Sequence, residues 1–175
     1  MALHKKSEAI VLKKKNLPGQ DVIITLFTHT EGKITAVAKG VKKITSRRSP
    51  HLQTGNLLHV MLNERKDRYY LQETNLLSGF SAIKTNRDKI VIQYTIFYLL
   101  DRILPDRQPE PAVYELTKKF IVDLAKTPIF SKEMVRDYLL RFLKVLGYEK
   151  ELGSFNEIIR YIEEIIHEKM PSDTL

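Results

Sequence analysis

The 175-residue chain contains no cysteine. Disulfide bonds and thiolate metal sites are therefore excluded. The histidines are scattered without the spacing of metal ligands: they are His4, His29, His51, His59 and His167. We therefore expect no metal and no cofactor. The absence of cysteine is compatible with a reducing cytosol, and we expect a cytoplasmic protein.

Long apolar runs are also missing. The longest, residues 90–100, is too short to span a bilayer and contains Gln93 and Thr95. No stretch of positive charge followed by apolar residues, typical of a signal peptide, opens the sequence. We therefore expect no association with a membrane.

Patterns typical of enzymes are absent as well. The seven glycines are spread singly, which excludes a glycine-rich phosphate loop, and no serine has the context of a nucleophile elbow. Glu163, Glu164, His167 and Glu168 have helical spacing and resemble a metal or acid–base cluster. The solvated face of an amphipathic helix explains them better. We therefore expect no catalytic residues and no enzymatic activity.

The positive charge is concentrated in one part of the chain. The net charge is +8, and residues 1–80 hold 14 Lys and Arg against 6 Asp and Glu. Residues 81–175 hold 15 of each and are neutral. A basic half joined to a neutral half indicates a module that binds a polyanion and a second module with another task.

The first 80 residues read as short strands separated by turns. Alternating or β-branched segments recur about every ten residues with no helix between them, at residues 3–16, 20–29, 32–39, 56–63 and 68–77. This pattern predicts a small closed barrel. A five-stranded OB-type barrel is the first candidate, and an SH3-like barrel is its main rival.

Helical periodicity replaces this pattern after Gly79. Residues 85–88 resemble a capping box that begins at Thr85, and residues 89–104 are apolar on nearly every side, as in a central buried helix. Three further helices are predicted, the last beginning with a capping box at Ser154. The fold class is therefore α+β: an OB-type barrel domain over residues 1–80 and an all-α helical bundle over residues 81–175.

Residues 32–48 combine a strand with a basic loop. Alternate residues suit a strand up to Lys39, and Lys42, Lys43, Arg47 and Arg48 follow within seven residues. A strand that presents such a cluster at its end forms an electrostatic platform. The alternative is a solvated loop, which is the usual reason for a run of charge.

Basic residues and one tyrosine make up the predicted nucleic-acid interface. Neighbouring tyrosines on a strand point to opposite faces, so only one of Tyr69 and Tyr70 can stack on a base, and the pattern does not decide which. No helix resembles a base-reading element, so we expect little sequence preference. The candidate residues are Lys13, Lys14, Lys15, Lys33, Lys39, Lys42, Lys43, Arg47, Arg48, Arg65, Lys66, Arg68 and Tyr69.

These segments resemble, in order, those of the RecO family of recombination mediators. The matching pieces are residues 8–12, 21–27 and 31–33, the run Ala-Val-Ala-Lys-Gly-Val-Lys-Lys at 36–43, and Tyr-Leu-Leu-Arg-Phe-Leu-Lys-Val-Leu-Gly-Tyr at 138–148. The chain differs from many members because it is short and lacks the four-cysteine zinc module after Leu-Gly-Tyr. Residues 149–153 lead directly into the last helix, so zinc is not expected.

The resemblance implies an N-terminal OB-fold, a helical domain and a role in recombinational repair. It implies binding of single- and double-stranded DNA, strand annealing, and partnership with RecR and with the C-terminal tail of the single-stranded-DNA-binding protein. The resemblance further implies that these proteins together load RecA onto single-stranded DNA coated with the single-stranded-DNA-binding protein. This would take place in the cytoplasm, in association with the nucleoid. The alternative is a generic OB-fold protein that binds single-stranded nucleic acid and has a helical oligomerisation domain.

Overall fold

A computed structural model describes residues 3–171. Five strands form a closed barrel in the order β1-β2-β3-β5-β4. Neighbouring strands are antiparallel except β3 and β5, which are parallel. This is the Greek-key topology of an OB-type barrel, which confirms the predicted fold. The strands are β1 (Leu3–Asn16), β2 (Val22–Thr28), β3 (Gly32–Ala38), β4 (Leu57–Arg65) and β5 (Arg68–Ser78).

Strand β1 closes the barrel because it is long enough to pair with two neighbours. Its first part, residues 3–10, pairs with β4, and residues 9–16 pair with β2. The register with β2 shifts between Val11 and Lys13, which makes Leu12 an extra residue. Such a bulge bends a strand. Consecutive residues from Ala9 to Leu12 are therefore all buried, although alternate residues of a straight strand point to opposite faces.

Alternate residues of the strands fill the barrel. In β2, Val22, Ile24 and Leu26 are buried in the interior, whereas Ile23 and Thr25 are half-exposed on the outer surface. Beyond the strands, Val41 and Leu52, which lies in a short 3₁₀ helix (Pro50–Leu52), join the same core. The residues between them, which have the opposite parity, therefore form the outer surface of the barrel.

The second part of the chain, as far as residue 171, contains five helices: α1 (Ser81–Lys84), α2 (Arg87–Ile103), α3 (Pro111–Lys126), α4 (Lys132–Val145) and α5 (Phe155–Ile166). The predicted capping box at Ser154 and Glu157 is confirmed. The first capping prediction was wrong by one residue. Asn86, not Thr85, caps α2, because its side chain accepts a hydrogen bond from the Lys89 backbone N–H at 3.1 Å.

The helical part has its own core, in which aromatic rings meet edge to face. The Phe120 ring lies 5.2 Å from that of Tyr138 and 6.2 Å from that of Phe142. The Tyr138 hydroxyl donates a hydrogen bond to Asp123. The prediction that α2 is buried on nearly every side was wrong at Tyr94, which is 53% exposed.

The chain divides into two compact units, and one of them is not continuous in sequence. The barrel unit combines the residues up to Gly79 with Pro105–Pro111, and the helical unit combines Phe80–Leu104 with the residues from Ala112 onward. We call residues 105–111 the barrel strap. The Arg107 backbone N–H donates to the Lys33 carbonyl at 2.8 Å, and Lys33 forms an isolated bridge with Asp106. The strap therefore extends the hydrogen bonding of β3.

Candidate nucleic-acid interface

The strand registers place four side chains in one row across the outer surface of the barrel. Lys15 of β1 lies opposite Ile23 of β2, Ile23 opposite Val37 of β3, and Val37 opposite Tyr70 of β5. Opposed residues of neighbouring strands point to the same side of a sheet. Ile23, Val37 and Tyr70 are each half-exposed and Lys15 is exposed. The row is thus an apolar strip with a lysine at one end.

A cavity of about 410 Å³ opens at the Tyr70 end of this row. Its lining combines three cations with an aromatic ring and strand residues: Val37, Lys39, Arg48, Arg65, Tyr70, Leu71 and Gln72. The Lys39 Nζ lies 5.4 Å from the centroid of the Tyr70 ring. Cations near an aromatic face are the combination that single-stranded nucleic acid requires, because phosphates pair with the charges and a base stacks on the ring.

Tyr69 faces the interior of the barrel. It is only 3% exposed, and its hydroxyl donates a hydrogen bond to Glu31 at 2.9 Å. Lys5 and Arg107 lie 5.4 and 4.9 Å from its ring centroid. The prediction that Tyr69 belongs to the interface is therefore corrected. Tyr69 is a core residue, and Tyr70, on the other parity of β5, carries the accessible ring.

A network of charges surrounds Tyr69. The Lys5 Nζ lies 2.6 Å from Glu31 and 3.1 Å from Glu64, and Glu64 also pairs with Arg107 at 3.3 Å. The hydrogen bond to Glu31 is the main reason that the pKa of Lys5 is raised. Burial, followed by the hydrogen bond to Glu31, raises the pKa of Tyr69. These charged groups pair with one another around the buried tyrosine.

The prediction that Lys33 belongs to the interface is also corrected. Its side chain is largely buried and its Nζ lies 3.2 Å from the Asp106 carboxylate of the barrel strap. A buried, paired ammonium contributes little to an attractive surface potential, because the nearby carboxylate cancels its charge. Lys33 therefore holds the strap and is removed from the interface.

The basic loop, residues 40–48, is fixed at both ends. At its start, the Gly40 N–H donates to the Asp21 carboxylate at 2.8 Å, and the buried Val41 anchors the chain in the core. At its end, the Arg48 guanidinium donates to the Leu71 carbonyl at 2.9 Å and to the Lys39 carbonyl at 2.5 Å. The loop is therefore a defined part of the surface that contains the cavity.

Two predicted cations in this loop have structural contacts of their own. Lys42 donates from its Nζ to the Leu17 carbonyl, and Arg48 joins the loop to β3 and β5. Lys43 and Arg47 are exposed, as is Lys39 at the end of β3. The exposed three are therefore the cations of this region most suited to phosphate.

The remaining predicted cations lie on β1 and the β4–β5 hairpin. Lys13 and Lys15 are exposed near the end of β1, and Lys14 between them is half-buried. Lys66 and Asp67 form the hairpin turn with φ of 47° and 57°. Arg65, on one side of this turn, lines the cavity with Lys39 and Arg48, whereas Lys66 and Arg68 are exposed outside its lining.

Sequence reasoning missed Ile23, Val37 and Gln72 as members of this surface, and it left open which of Tyr69 and Tyr70 carries the accessible ring. A signal for the first two existed, since the buried parity of β2 and β3 assigns Ile23 and Val37 to the outside. Gln72 lies two residues from Tyr70 and therefore on the same face of β5. The sequence does not show that this face lies beside Val37, because that proximity comes from the parallel pairing of β3 with β5.

The remaining candidate chemistry is that of the acidic and histidine residues near the end of α5. Within residues 3–171, no three His, Cys, Asp or Glu side chains converge to hold a metal ion. Two members of the acidic cluster at the end of α5 make structural contacts. Glu163 accepts from the Met170 N–H at 2.9 Å, and Glu168 accepts from the Tyr98 hydroxyl at 2.7 Å. None of the helices described between residues 3 and 171 has the length and apolar character that a membrane crossing needs.

Comparison with known proteins identifies the family. The model for the recombination protein O N terminal matches residues 1–80, and that for the recombination protein O C terminal matches residues 85–154. Among similar proteins, DNA repair protein RecO of Caldanaerobacter subterraneus subsp. tengcongensis is 29% identical over 149 residues, which cover 85% of this chain and 60% of that protein. DNA repair protein RecO of Geobacter metallireducens is 30% identical over 147 residues, which cover 84% of this chain and 60% of that protein.

The chain thus spans about 60% of the length of these relatives. The two family models nevertheless match both of its parts, the barrel and most of the helical region, in the order expected for one family. On this basis the chain belongs to the RecO family.

Proposed function

We propose that this chain binds DNA during recombinational repair and that the outer surface of the barrel is its binding site. The observation that carries the proposal is the cavity that Lys39, Arg48 and Arg65 line together with the half-exposed Tyr70 ring. Its relatives are named DNA repair proteins. The cations neutralise phosphates and the ring stacks on a base, so the site favours single strands without a strong sequence preference.

The finer role that we propose is that of a mediator. The barrel binds single- and double-stranded DNA and promotes annealing, which requires only charge screening and the juxtaposition of strands. The neutral helical unit binds protein partners: RecR and the C-terminal tail of the single-stranded-DNA-binding protein, with RecA loading as the outcome. The role is one of binding and not of catalysis, in the cytoplasm and close to the nucleoid.

A salt titration tests the binding site. Labelled single-stranded DNA is titrated by fluorescence anisotropy with the natural protein and with a variant in which Lys39, Lys43 and Arg47 are each replaced by Glu. Lys42 and Arg48 are retained because they hold the loop. With ~4–6 phosphate contacts the slope of log affinity against log salt is about −3 to −5. We expect the variant to lose ~2–3 of that slope and about tenfold or more in affinity at low salt.

A matched control separates local contacts from the effect of net charge. Replacing Lys132, Arg160 and Lys169 by Glu changes the net charge equally, but these exposed residues lie in the helical unit. We expect this control to bind DNA as the natural protein does. Equal losses in the two variants would show that net charge alone drives binding, and no binding by the natural protein at low salt would contradict the proposed function.

The partner role needs its own test. An immobilised acidic peptide that ends in Phe, like the tail of the single-stranded-DNA-binding protein, should retain the protein. The generic OB-fold alternative predicts DNA binding without retention on this peptide. Hydrolysis of ATP or nucleic acid by the pure protein would contradict a role limited to binding.

A further inference from the structure

The basic loop carries an apolar side chain at its centre. Ile44 is fully exposed to solvent and, with Ile129, is one of the two most exposed large apolar residues described. Lys43 and Thr45 on either side of it are also exposed, as is Arg47. A β-branched aliphatic side chain gains nothing from water at such a position, since burying it elsewhere would be favourable.

The loop holds Ile44 away from the core by local hydrogen bonds. The Lys43 N–H donates to the Gly40 carbonyl at 3.3 Å, and the Ser46 N–H donates to the Lys43 carbonyl at 2.9 Å. These bonds form consecutive turns whose outer side carries Ile44. Val41 before it and Arg48 after it are fixed to the barrel. The exposed position of Ile44 is therefore a consequence of how the loop is folded.

Nucleic acid matches an apolar tip between cations. Phosphates lie on the outside of a strand and pair with Lys43 and Arg47, whereas base faces are apolar and accept an aliphatic side chain between them. Arg48 belongs both to this loop and to the lining of the Tyr70 cavity. A strand with one base on Tyr70 can therefore continue over the loop. A membrane is the weaker match, because one aliphatic side chain buries too little surface to anchor a protein.

We propose that Ile44 is a wedge that inserts between neighbouring bases of bound single-stranded DNA, while Lys43 and Arg47 hold the flanking phosphates. This inference rests on the proposed function and adds to it a residue that acts on base stacking. The wedge keeps the bases apart and unstacked, which makes them accessible to a complementary strand. Its effect is on the conformation of the bound strand more than on affinity, because the phosphate contacts dominate affinity.

The test uses 2-aminopurine, whose fluorescence is quenched by stacking. An adenine-rich single strand with one 2-aminopurine is saturated with the full chain or with Ile44→Ser, Ile44→Leu or Ile129→Ser. The last is a control, since Ile129 is 82% exposed in the helical unit. With the natural protein we expect fluorescence to rise severalfold. Ile44→Ser should lose most of this rise and keep its affinity within about threefold, whereas Ile44→Leu and Ile129→Ser should behave as the natural protein does.

The outcomes distinguish the wedge from the proposed function. Binding of DNA with the same rise in the natural protein and in Ile44→Ser would overturn the wedge and leave the proposed function standing. No DNA binding by the natural protein would overturn both. Loss of binding to anionic phospholipid vesicles in Ile44→Ser, with an unchanged DNA signal, would assign the exposed side chain to a membrane instead and would also overturn the wedge.

Discussion

Two adjacent tyrosines on β5 show how a single residue step changes a role. Tyr69 is buried, bonded to Glu31 and flanked by Lys5 and Arg107. Tyr70 is half-exposed beside Lys39 at the cavity. Because the side chains of a strand alternate between its two faces, one tyrosine serves the core and the other the surface. Substituting each of them separates stability from binding.

We predict opposite effects for Tyr70→Leu and Tyr69→Phe. Tyr70→Leu keeps an apolar side chain but removes the stacking ring. The free energy of binding to single-stranded DNA should therefore weaken by about 1–3 kcal/mol, with little change in stability. Tyr69→Phe removes a hydrogen bond to a carboxylate and should cost about 1–3 kcal/mol of unfolding free energy with little effect on affinity. Anisotropy titrations and urea denaturation measure the two quantities. Weaker DNA binding in Tyr69→Phe alone would place the bound strand elsewhere.

At the scale of elements, the barrel strap depends on a glycine. Gly32, in the β2–β3 hairpin, has φ of 71°, and a Cβ built there would lie 1.9 Å from the Gln108 carbonyl oxygen of the strap. Both the backbone conformation and the close approach therefore require glycine at this position. The strap also supplies Asp106 to Lys33 and Arg107 to Glu64.

Gly19→Ala is the matched control for Gly32→Ala. Gly19 has a similar φ of 76° but nothing within 4 Å of its Cβ position, so it measures the cost of the backbone conformation alone. We expect about 1–2 kcal/mol of destabilisation for Gly19→Ala. Gly32→Ala should cost about 1 kcal/mol or more beyond this, because the strap backbone must also move. Urea denaturation measures both. Equal losses would mean that the strap adapts to an added methyl group without cost.

At the scale of the whole molecule, the elements were predictable where their causes are local. Alternation of apolar and polar residues indicated the five strands, and Ser154 with Glu157 signalled the start of α5. Both patterns depend only on residues a few positions apart in the sequence. The number and spacing of the strands predicted a small closed barrel with the OB type as first candidate, and the strand order of the structure identifies that type.

The composition of the site was less predictable, because its causes are not local. A bulge in β1 and register shifts between β4 and β5 decide which residues face outward. The cavity depends on the parallel pairing of Val37 with Tyr70. The pairing of Lys33 with Asp106 joins residues 73 positions apart, and the strap itself reads in sequence as a polar loop between two helices. Charge alone therefore included Lys33 in the interface, and alternation alone left Tyr69 and Tyr70 unresolved.

The barrel strap belongs to the barrel unit although the first helices separate it from the strands in sequence. We therefore expect the strap to open together with the barrel. The Arg107 amide donates to Lys33 in the barrel, so its hydrogen exchange should follow the stability of the barrel. Ile34→Val in β3 and Ile121→Val in α3 are matched changes, since both side chains are 1% exposed.

Each of these changes should cost about 0.5–1.5 kcal/mol in its own unit. In the intact chain, Ile34→Val should therefore speed exchange of the Arg107 amide by about 2–10-fold, and Ile121→Val should leave it unchanged. Native-state exchange followed by NMR resolves this single amide. Faster exchange in Ile121→Val than in Ile34→Val would instead assign the opening of the strap to the helices on either side of it. The barrel would then exchange as a unit that ends at Gly79.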